Sequence, residues 1–174
     1  MALAYQIFTS PIGAILVAGS GFAVTQVRRG NDRHKLAADF QLEHEYASPL
    51  DRSGYIREAC AAIAAFLNGD TNRIDVAIQV DGTDFQRKVW HALRQIPYGK
   101  TVSYSDIADT IGSPDAFRAV ANACGHNPVP LIIPCHRVIH KSGDFNGFGW
   151  GPDAKRFLLE LEWEHTLATG EYAE

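Results

Sequence analysis

Residues 127–139 read Asn-Pro-Val-Pro-Leu-Ile-Ile-Pro-Cys-His-Arg-Val-Ile, an apolar run interrupted by prolines and by a polar triplet. The prolines fix the approach of the chain and withhold backbone donors, so a regular strand ladder around Cys135 is disfavoured. Neighbouring residues of an extended strand point to opposite faces, so direct contact between the side chains of Cys135 and His136 would need a turn. We therefore expect a stiff segment that carries a cysteine between two apolar runs.

Two short helices are predicted upstream of this segment. Residues 105–111 have an amphipathic pattern, residues 112–114 form a Gly-Ser-Pro turn, and residues 115–123 form a second helix rich in small residues. Two short helices joined by a tight turn with glycine are the sequence form of a helix-turn-helix. Any helical hairpin gives the same pattern, so this feature alone is a weak indication of DNA binding.

Further helices are predicted on either side of these elements. Thr83 or Asp84 can cap a helix that ends at residues 97–99, Pro-Tyr-Gly. Its apolar face is formed by Phe85, Val89, Leu93 and Ile96. A final helix is predicted from Asp153 to about Glu164, and the last ten residues are expected to fray. The buried side of that helix is predicted to hold Phe157, Leu158 and Leu161.

The first eighty residues predict a small sheet with helices. Three short apolar runs within residues 5–27, separated by Pro and Gly turns, are typical of an antiparallel meander. A short helix can begin after Asn31 and Asp32, and residues 55–67 have helical spacing. Residues 74–80 alternate loosely and suggest another strand. This half lacks a Gly-rich phosphate loop and metal-ligand spacing, so we expect no chemistry there.

The composition excludes several classes of protein. The chain has 174 residues, 46% of them hydrophobic, which is enough for the core of one domain or of two small ones. It has no run of 18 apolar residues and no basic stretch ahead of an apolar N-terminal run, so we expect a soluble, cytoplasmic protein without a membrane partner. Its three cysteines are spaced irregularly, which predicts neither a disulfide framework nor a paired-cysteine zinc site.

Charge is distributed unevenly along the chain. The net charge of −4 argues against a protein that binds nucleic acid over its whole surface. Residues 85–156 nevertheless contain nine Lys or Arg and five Asp, a net charge of +4, whereas the rest of the chain has a net charge of −8. A mildly basic half could face phosphates, although chance produces an imbalance of this size as readily.

Cys135 and His136 are the candidate reactive pair. A thiolate is the nucleophilic form of cysteine, and an imidazole can accept the proton directly or through water. The alternative is a small buried cysteine beside a histidine that only satisfies a hydrogen bond in the core, which is the commoner outcome for an arbitrary Cys-His pair. The prolines, the apolar surroundings and the predicted helix-turn-helix favour the reactive interpretation.

An ordered set of motifs resembles the O6-alkylguanine-DNA alkyltransferase family. The motifs are Arg118-Ala119-Val120, Asn127-Pro128-Val129-Pro130, Pro134-Cys135-His136-Arg137-Val138 and Phe148-Gly149-Trp150-Gly151. The likeness runs from about Phe85 to Glu162, and Ser10-Pro11-Ile12-Gly13 is similar to the first hairpin of the family. Motifs in this order over such a length are far more specific than any one of them.

The resemblance implies roles for three residues. Cys135 would accept the alkyl group of O6-alkylguanine, His136 would act on the thiol through a bound water, and Glu162 would hold the imidazole in the useful tautomer. A thioether lacks the carbonyl that makes an acyl-cysteine hydrolysable, so each chain would react once and irreversibly. Without the resemblance, Glu162 would be interpreted as part of a solvated helix face.

The resemblance also implies contacts with DNA. The O6 alkyl carbon lies against neighbouring bases, so the nucleotide must be turned out of the duplex before a protein sulfur can reach it. Arg118 would fill the gap and Tyr104 would contact the flipped nucleotide, with Ser103 and Ala119 beside them in a minor-groove helix-turn-helix. The walls and lid of the substrate pocket would be formed by Asn127, Pro130, the backbone of Val138, Phe148, Gly149 and Trp150. Asn127 would also tie the recognition helix to the segment of Cys135.

The sequence departs from the family pattern at a few positions. Phe117 stands where relatives often have Ala, which bears on how closely the recognition helix enters the groove. Trp150 stands where many relatives have Gly, so the pocket is expected to be narrower and less open to bulky alkyl groups. Some relatives bind a structural zinc ion in the N-terminal half. Cys60 is the only cysteine before Cys124 here, so we expect no metal and no cofactor.

We predict an α/β (α+β) chain of two small domains. Residues 1–81 would form an N-terminal domain with an antiparallel sheet, residues 82–165 a mostly helical, winged-helix-like DNA-binding domain, and residues 166–174 a tail. The expected partner is duplex DNA containing O6-alkylguanine, bound by a monomer with little sequence preference and, in a bacterium, at the nucleoid. A non-catalytic lesion-binding module is disfavoured by Cys135. A cysteine hydrolase, the other alternative, would turn over.

Overall fold

Strands are concentrated in the N-terminal half of the chain and helices in the C-terminal half. The computed structural model describes residues 3–170, which divide into two compact units between Val80 and Asp81. A three-stranded antiparallel sheet, a two-stranded parallel sheet and six α-helices are present within these residues. The mixed α/β class predicted from the sequence is confirmed. No helix in residues 3–170 combines the length and apolar character needed to cross a bilayer.

The first unit is a meander packed against helices. Its elements are β1 (Ala4–Ser10), β2 (Gly13–Ser20), β3 (Ala23–Gly30), α1 (Arg33–Glu43) and α2 (Tyr55–Leu67). Strand β2 pairs antiparallel with β1 on one side and with β3 on the other, as the three apolar runs predicted. One buried cluster joins the sheet to α1 through Tyr5, Leu16 and Phe40, with the rings of Tyr5 and Phe40 5.1 Å apart.

Local sequence explains where these elements begin. The carboxylate of Asp32 accepts hydrogen bonds from the amides of His34 (2.7 Å) and Lys35 (2.9 Å), which caps α1 as predicted. The strand expected over residues 74–80 does not form. That segment pairs with β3 at one bridge only, between Ile78 and Val24, where the amide of Val24 donates to the carbonyl of Ala77 and the amide of Gln79 donates to the carbonyl of Val24.

The second unit is built from four helices and two very short strands. Its regular elements are α3 (Asp84–Leu93), β4 (Val102–Ser103), α4 (Tyr104–Thr110), α5 (Phe117–Gly125), β5 (Val138–Ile139) and α6 (Pro152–Thr169). Strands β4 and β5 pair in parallel, with Val102 opposite Val138. This pairing places the segment that follows Cys135 beside the residue that starts α4.

Helices α4 and α5 form the predicted helical hairpin. Ser103 caps α4 through a reciprocal capping box with Asp106. The second helix starts later than predicted, because Pro114–Ala116 form a 3₁₀ turn before α5 begins. The indole of Trp90 in α3 donates a hydrogen bond of 2.9 Å to the carbonyl of Ala123, which anchors α5. The hairpin is therefore fixed at both ends.

The chain turns at the cysteine. Cys135–Arg137 form a 3₁₀ turn rather than a strand, with the amide of Arg137 donating to the carbonyl of Pro134 at 3.0 Å. Just upstream, Leu131 has a φ of 77°. It is the one non-glycine residue with positive φ among residues 3–170. The chain therefore makes the turn that a contact between the side chains of Cys135 and His136 would need. The segment that leads to this turn contains a left-handed residue, Leu131.

Helix α6 is longer than predicted and buries a different face. It extends to Thr169, because Thr166 is buried and its hydroxyl donates to the carbonyl of Glu162 at 2.7 Å. The assignment of residues 166–169 to a tail was wrong, and residues 171–174 lie outside the described part of the chain. Leu158 is buried as expected, but Phe157 and Leu161 are only half-buried. The other buried residues of the helix are Ala154, Lys155, Glu162 and Thr166.

Candidate active site

Cys135 is held by an asparagine. Its residue surface is 5% exposed. The amide of Asn127 donates to Sγ at 3.2 Å and to the carbonyl of Ile133 at 2.8 Å, while its side-chain oxygen accepts from the amide of Val129 at 3.0 Å. One buried side chain therefore joins the end of α5 to both sides of the loop that leads to the sulfur, which is the place predicted for Asn127.

The electrostatic surroundings of the sulfur act in two directions. Burial raises the pKa of the Cys135 thiol, because an apolar environment disfavours the thiolate. The hydrogen bond from Asn127, the positive charge of Lys155 and two backbone amides lower it. The groups that favour the anion are thus already in place around a thiol that has little contact with water.

His136 and Glu162 form a buried pair. Nε2 of His136 lies 2.6 Å from Oε1 of Glu162, and the side chains are 0% and 1% exposed. Glu162 was predicted to orient this imidazole, and the structure places it there. Because Nε2 faces the carboxylate, the arrangement assigns the ring proton to that nitrogen and leaves Nδ1 as the basic atom.

Glu162 binds two further groups. Nε of Arg137 lies 3.0 Å from Oε2 and 3.1 Å from Oε1, and the amide of Gly99 donates to Oε2 at 2.8 Å. Arg137 also donates to the carbonyl of Ile96 at 2.8 Å. The carboxylate on α6 therefore connects the 3₁₀ turn of Cys135 to the loop that follows α3.

Glycine is required where that loop meets α6. Gly99 has a φ of +75°, and a Cβ atom there would lie 2.5 Å from the hydroxyl of Thr166. A larger residue would push the loop away from the helix and withdraw the amide from Glu162. The glycine that was predicted to end a helix therefore also allows the close approach on which the carboxylate depends.

The histidine and the glutamate differ in ionisation. Burial lowers the pKa of His136, against the opposing effect of Glu162, so the ring is neutral at pH 7 and able to accept a proton. Burial alone would raise the pKa of Glu162, but His136 and Arg137 outweigh it and lower the pKa to about 2. The carboxylate is therefore charged at neutral pH and can stabilise an imidazolium.

Tyr104 lines a surface cavity of about 390 Å³. Its ring lies 5.0 Å from that of His140, and the residue is 7% exposed. Burial raises the pKa of the phenol to about 12, so the hydroxyl is a hydrogen-bond donor at neutral pH. The cavity is lined by Ser103, Tyr104, Ser105, Phe117, His140, Lys141 and Ser142. Ser103, which was predicted to contact DNA, uses its hydroxyl in the capping box of α4.

The start of α5 presents exposed side chains. Arg118 and Ala119 are exposed, and the guanidinium carbon of Arg118 lies 5.6 Å from the ring of Phe117, which is 43% exposed. The arginine therefore has an aromatic neighbour on its own helix. Both predicted DNA contacts of α5 are on the surface, where a duplex could reach them.

The residues predicted for the substrate pocket divide into two groups. Pro130 and Val138 are buried on either side of Cys135. Phe148, Gly149 and Trp150 lie in the loop before α6, where the aromatic rings are 6.1 Å apart. The other cysteines, Cys60 and Cys124, are buried free thiols. Among residues 3–170, no three His, Cys, Asp or Glu side chains are grouped as metal ligands.

Comparison with known proteins identifies the family. The family described as "6-O-methylguanine DNA methyltransferase, DNA binding domain" matches residues 84–164. The methylated-DNA–protein-cysteine methyltransferase of Mycobacterium tuberculosis strain H37Rv is 43% identical over 158 residues, which is 91% of each chain. The protein of that name from Methanosarcina barkeri is 41% identical over 91% of this chain and 96% of its own. The chain belongs to the O6-methylguanine-DNA methyltransferase family. The family resemblance predicted from the motifs is confirmed.

Solved structures of this methyltransferase family have the same fold. A crystal structure of Mycobacterium tuberculosis O6-methylguanine methyltransferase aligns with a TM-score of 0.80 at 42% identity, over 94% of each chain. A second crystal structure, of the Mycobacterium tuberculosis protein in complex with DNA, aligns with a TM-score of 0.81 at 41% identity, over 93% of this chain and 94% of that one. The range matched by the family's DNA-binding domain, residues 84–164, contains Tyr104, Arg118, Cys135 and Glu162.

Three residues of this methyltransferase-family site were not predicted from the sequence. They are Gly99, Arg137 and Lys155. Arg137 lay within the Cys-His-Arg triplet and could have been suspected, because a buried arginine needs a carboxylate. Lys155 gave a subtler signal, since it stands three positions before Leu158 on the same face of the final helix.

Proposed function

We propose that this protein repairs DNA by transferring the alkyl group of O6-alkylguanine to Cys135. The observation that carries the proposal is the buried pair of His136 and Glu162, 2.6 Å apart, directly after a cysteine that accepts an amide hydrogen bond. A neutral imidazole hydrogen-bonded to an ionised carboxylate is the arrangement that turns a thiol into a nucleophile. Membership of the methyltransferase family supports the same reaction.

The chemical step is a displacement at carbon. His136 takes the proton of the Cys135 thiol through a bridging water, and the sulfur attacks the alkyl carbon. A carbon–sulfur bond forms as the carbon–oxygen bond breaks, and the electron pair stays on the guanine oxygen. The imidazolium of His136 gives up the proton it took from the thiol, the guanine gains one proton in exchange, and the protein retains a thioether. No water attack can release that group, so one chain repairs one base.

Helices α4 and α5 supply the proposed DNA surface. Arg118 is exposed at the start of α5, and Tyr104 at the start of α4 is a protonated donor beside a cavity. We infer that the hairpin enters the minor groove of a duplex with little sequence preference and that Arg118 occupies the space of the extruded nucleotide. The DNA complex of the Mycobacterium tuberculosis relative supports DNA as the partner.

A stoichiometric mass measurement tests the proposal. The protein is mixed with a duplex containing O6-methylguanine, and its intact mass is recorded over time. We expect a gain of one methyl group per chain, on the peptide that contains Cys135, and a reaction that stops when every chain is modified. Continued loss of methylguanine beyond one equivalent, or a methyl group on another residue, would refute the proposed function.

Arg118→Ala is expected to slow repair of a duplex selectively. Extrusion of a stacked base costs a few kcal/mol, and loss of the side chain that fills the gap should slow duplex repair roughly tenfold. Reaction with free O6-benzylguanine should be unchanged, because no base needs to be extruded. Arg156→Ala, which removes an exposed arginine from α6, is the matched control. Equal slowing with both substrates would contradict the role of Arg118 in base extrusion.

A further inference from the structure

Phe117 is the large apolar side chain that the helical hairpin exposes. Within residues 104–125, which the structure describes throughout, no other large hydrophobic residue is exposed, and Phe117 is 43% exposed. It begins α5, a helix whose other apolar positions are mainly alanine. A single exposed apolar side chain is ordinary on a protein surface, so its position and its contacts must decide what it does.

The ring of Phe117 contacts Arg118. The guanidinium carbon of Arg118 lies 5.6 Å from the centroid of the ring. Consecutive residues of a helix do not face each other, so this contact requires the arginine side chain to fold back over its neighbour. Among residues 3–170, no ion pair includes Arg118. The aromatic ring is therefore the partner that holds the guanidinium at the start of α5.

Phe117 also lines the cavity of Tyr104. That cavity has a volume of about 390 Å³, and three ring side chains form part of its wall, those of Tyr104, Phe117 and His140. The rings of Tyr104 and His140 are 5.0 Å apart. Lys141 adds a cation, and none of the described lining residues is acidic. Aromatic faces beside a cation are the groups with which proteins hold unpaired bases next to their phosphates.

The position of Phe117 favours contact with the base stack of a duplex. Arg118 and Ala119, which follow it in α5, are exposed as well. Proteins that bind the minor groove often insert an apolar side chain between base steps and unstack them. Extrusion of a nucleotide uncovers the face of the adjacent base, and an aromatic ring that covers this face is itself removed from water. Alanine in the place of Phe117 would leave the uncovered face to Arg118 alone.

We propose that Phe117 is a DNA-binding residue that acts with Arg118 as one wedge, in which the ring stacks on the base uncovered by extrusion and the guanidinium enters the gap. This inference deepens the proposed function and rests on it. Because the two side chains already contact each other, fewer rotamers have to be ordered when DNA binds. The opposite role is a ring that only obstructs the groove. The two roles predict effects of opposite sign on repair of a duplex.

Two substitutions at position 117 test the wedge. Phe117→Ala removes the ring, whereas Phe117→Tyr keeps it and adds a hydroxyl. Methyl transfer from a duplex containing O6-methylguanine is followed by intact mass, and reaction with free O6-benzylguanine, which needs no extrusion, is measured beside it. Phe22→Ala, which removes an exposed phenylalanine between β2 and β3, is the matched control. Urea unfolding shows whether each variant is folded.

Phe117→Ala is expected to slow repair of the duplex about tenfold and to leave the reaction with O6-benzylguanine unchanged. Phe117→Tyr and Phe22→Ala should react as fast as the wild type with both substrates. Faster repair of the duplex by Phe117→Ala would show that the ring obstructs the groove. That result, an unchanged rate, equal slowing with both substrates, a Phe117→Tyr protein as slow as Phe117→Ala, or failure of Phe117→Ala to fold would overturn the inference.

Combination with Arg118→Ala tests whether the two side chains act as one. Each single substitution is expected to slow repair of a duplex about tenfold, so independent side chains would give a loss of about a hundredfold in the double variant. Side chains that form one wedge should give a clearly smaller loss, because removal of either one already impairs the other. Losses that multiply in full would refute the joint action.

Failure of the proposed function gives a different result. A wild-type protein that takes no alkyl group would refute alkyl transfer. Extrusion can still be followed in Cys135→Ser protein with 2-aminopurine placed beside O6-methylguanine, because the fluorescence of 2-aminopurine increases when a neighbouring base leaves the stack. A fluorescence increase that is lost on adding Phe117→Ala supports the wedge whatever happens at the sulfur. An equal increase with and without Phe117→Ala, beside a wild-type protein that repairs the duplex, would refute the wedge alone.

Discussion

Cys135→Ser protein incubated with a duplex containing O6-methylguanine is expected to keep its original mass while the wild-type protein gains one methyl group. An alcohol remains protonated at neutral pH and is a far weaker nucleophile than a thiolate, so we expect a loss of at least about 10³-fold in rate. The hydroxyl can still accept the hydrogen bond from Asn127, so the fold should be retained.

The other two cysteines serve as internal controls. Burial raises the pKa of Cys60 to about 12 and that of Cys124 further still. Neither is followed in the chain by a histidine paired with a carboxylate, as Cys135 is, so neither should replace it. Cys60→Ser and Cys124→Ser should therefore methylate as the wild type does. Methyl transfer to Cys60 or Cys124 in the Cys135→Ser protein would show that the acceptor has been assigned wrongly.

Glu162→Gln is expected to damage both stability and reactivity. Each oxygen of Glu162 accepts from two donors, including Arg137, so an amide in either orientation places an NH₂ group against another donor. The substitution also leaves Arg137 buried without its carboxylate. We expect a loss of about 3–5 kcal/mol in the free energy of unfolding. The rate of alkyl transfer should fall at least about 10²-fold, because the imidazole loses its orientation.

Urea unfolding followed by tryptophan fluorescence measures this loss in the right part of the chain. Trp90, Trp150 and Trp163 all lie after Asp81, so the signal reports on the C-terminal unit. Glu164→Gln, two positions along α6 and exposed, is the matched control. A Glu162→Gln protein as stable and as reactive as this control would contradict the central place of the carboxylate.

The same variant should respond differently to acid. The pKa of Glu162 is lowered from 4.5 to about 2 in the folded protein. Its carboxylate therefore contributes stability that is fully present above pH 4.5 and is lost as pH falls towards 2. Glu162→Gln has no such group. The difference in unfolding free energy between wild type and variant should narrow over that interval, and a constant difference would show that folding does not lower the pKa of Glu162.

Much of the fold follows from local sequence. The prolines and glycines between the apolar runs fix the meander, and Asp32, Thr83 and Ser103 cap helices near the predicted positions. These features depend on residues close together in the chain. The family motifs likewise placed Cys135, His136 and Glu162 in one site, and the buried contact of His136 with Glu162 is present.

Other features depend on partners far apart in sequence. The apolar pattern of α6 points to Phe157 and Leu161, yet the helix buries Lys155 and Glu162, because polar groups from distant segments, the carbonyl of Val138 and the imidazole of His136, meet them there. No pattern in a single sequence predicts that Glu162 accepts a hydrogen bond from the amide of Gly99, because the two residues are far apart in the chain. Residues 74–80 show the opposite case, in which the sequence pattern predicts an element that does not form. An alternating pattern cannot form a strand without a neighbouring strand that pairs along its length.

The sharing of Glu162 between the imidazole, the guanidinium and the amide of Gly99 limits how this protein can be redesigned. A substitution of Glu162 that changes the rate of alkyl transfer should also lower thermal stability. The carboxylate oxygens that orient the imidazole also hold three chain segments together. Directed evolution for a changed rate of alkyl transfer should therefore accumulate substitutions around the cavity lined by Tyr104 and leave Glu162 unchanged.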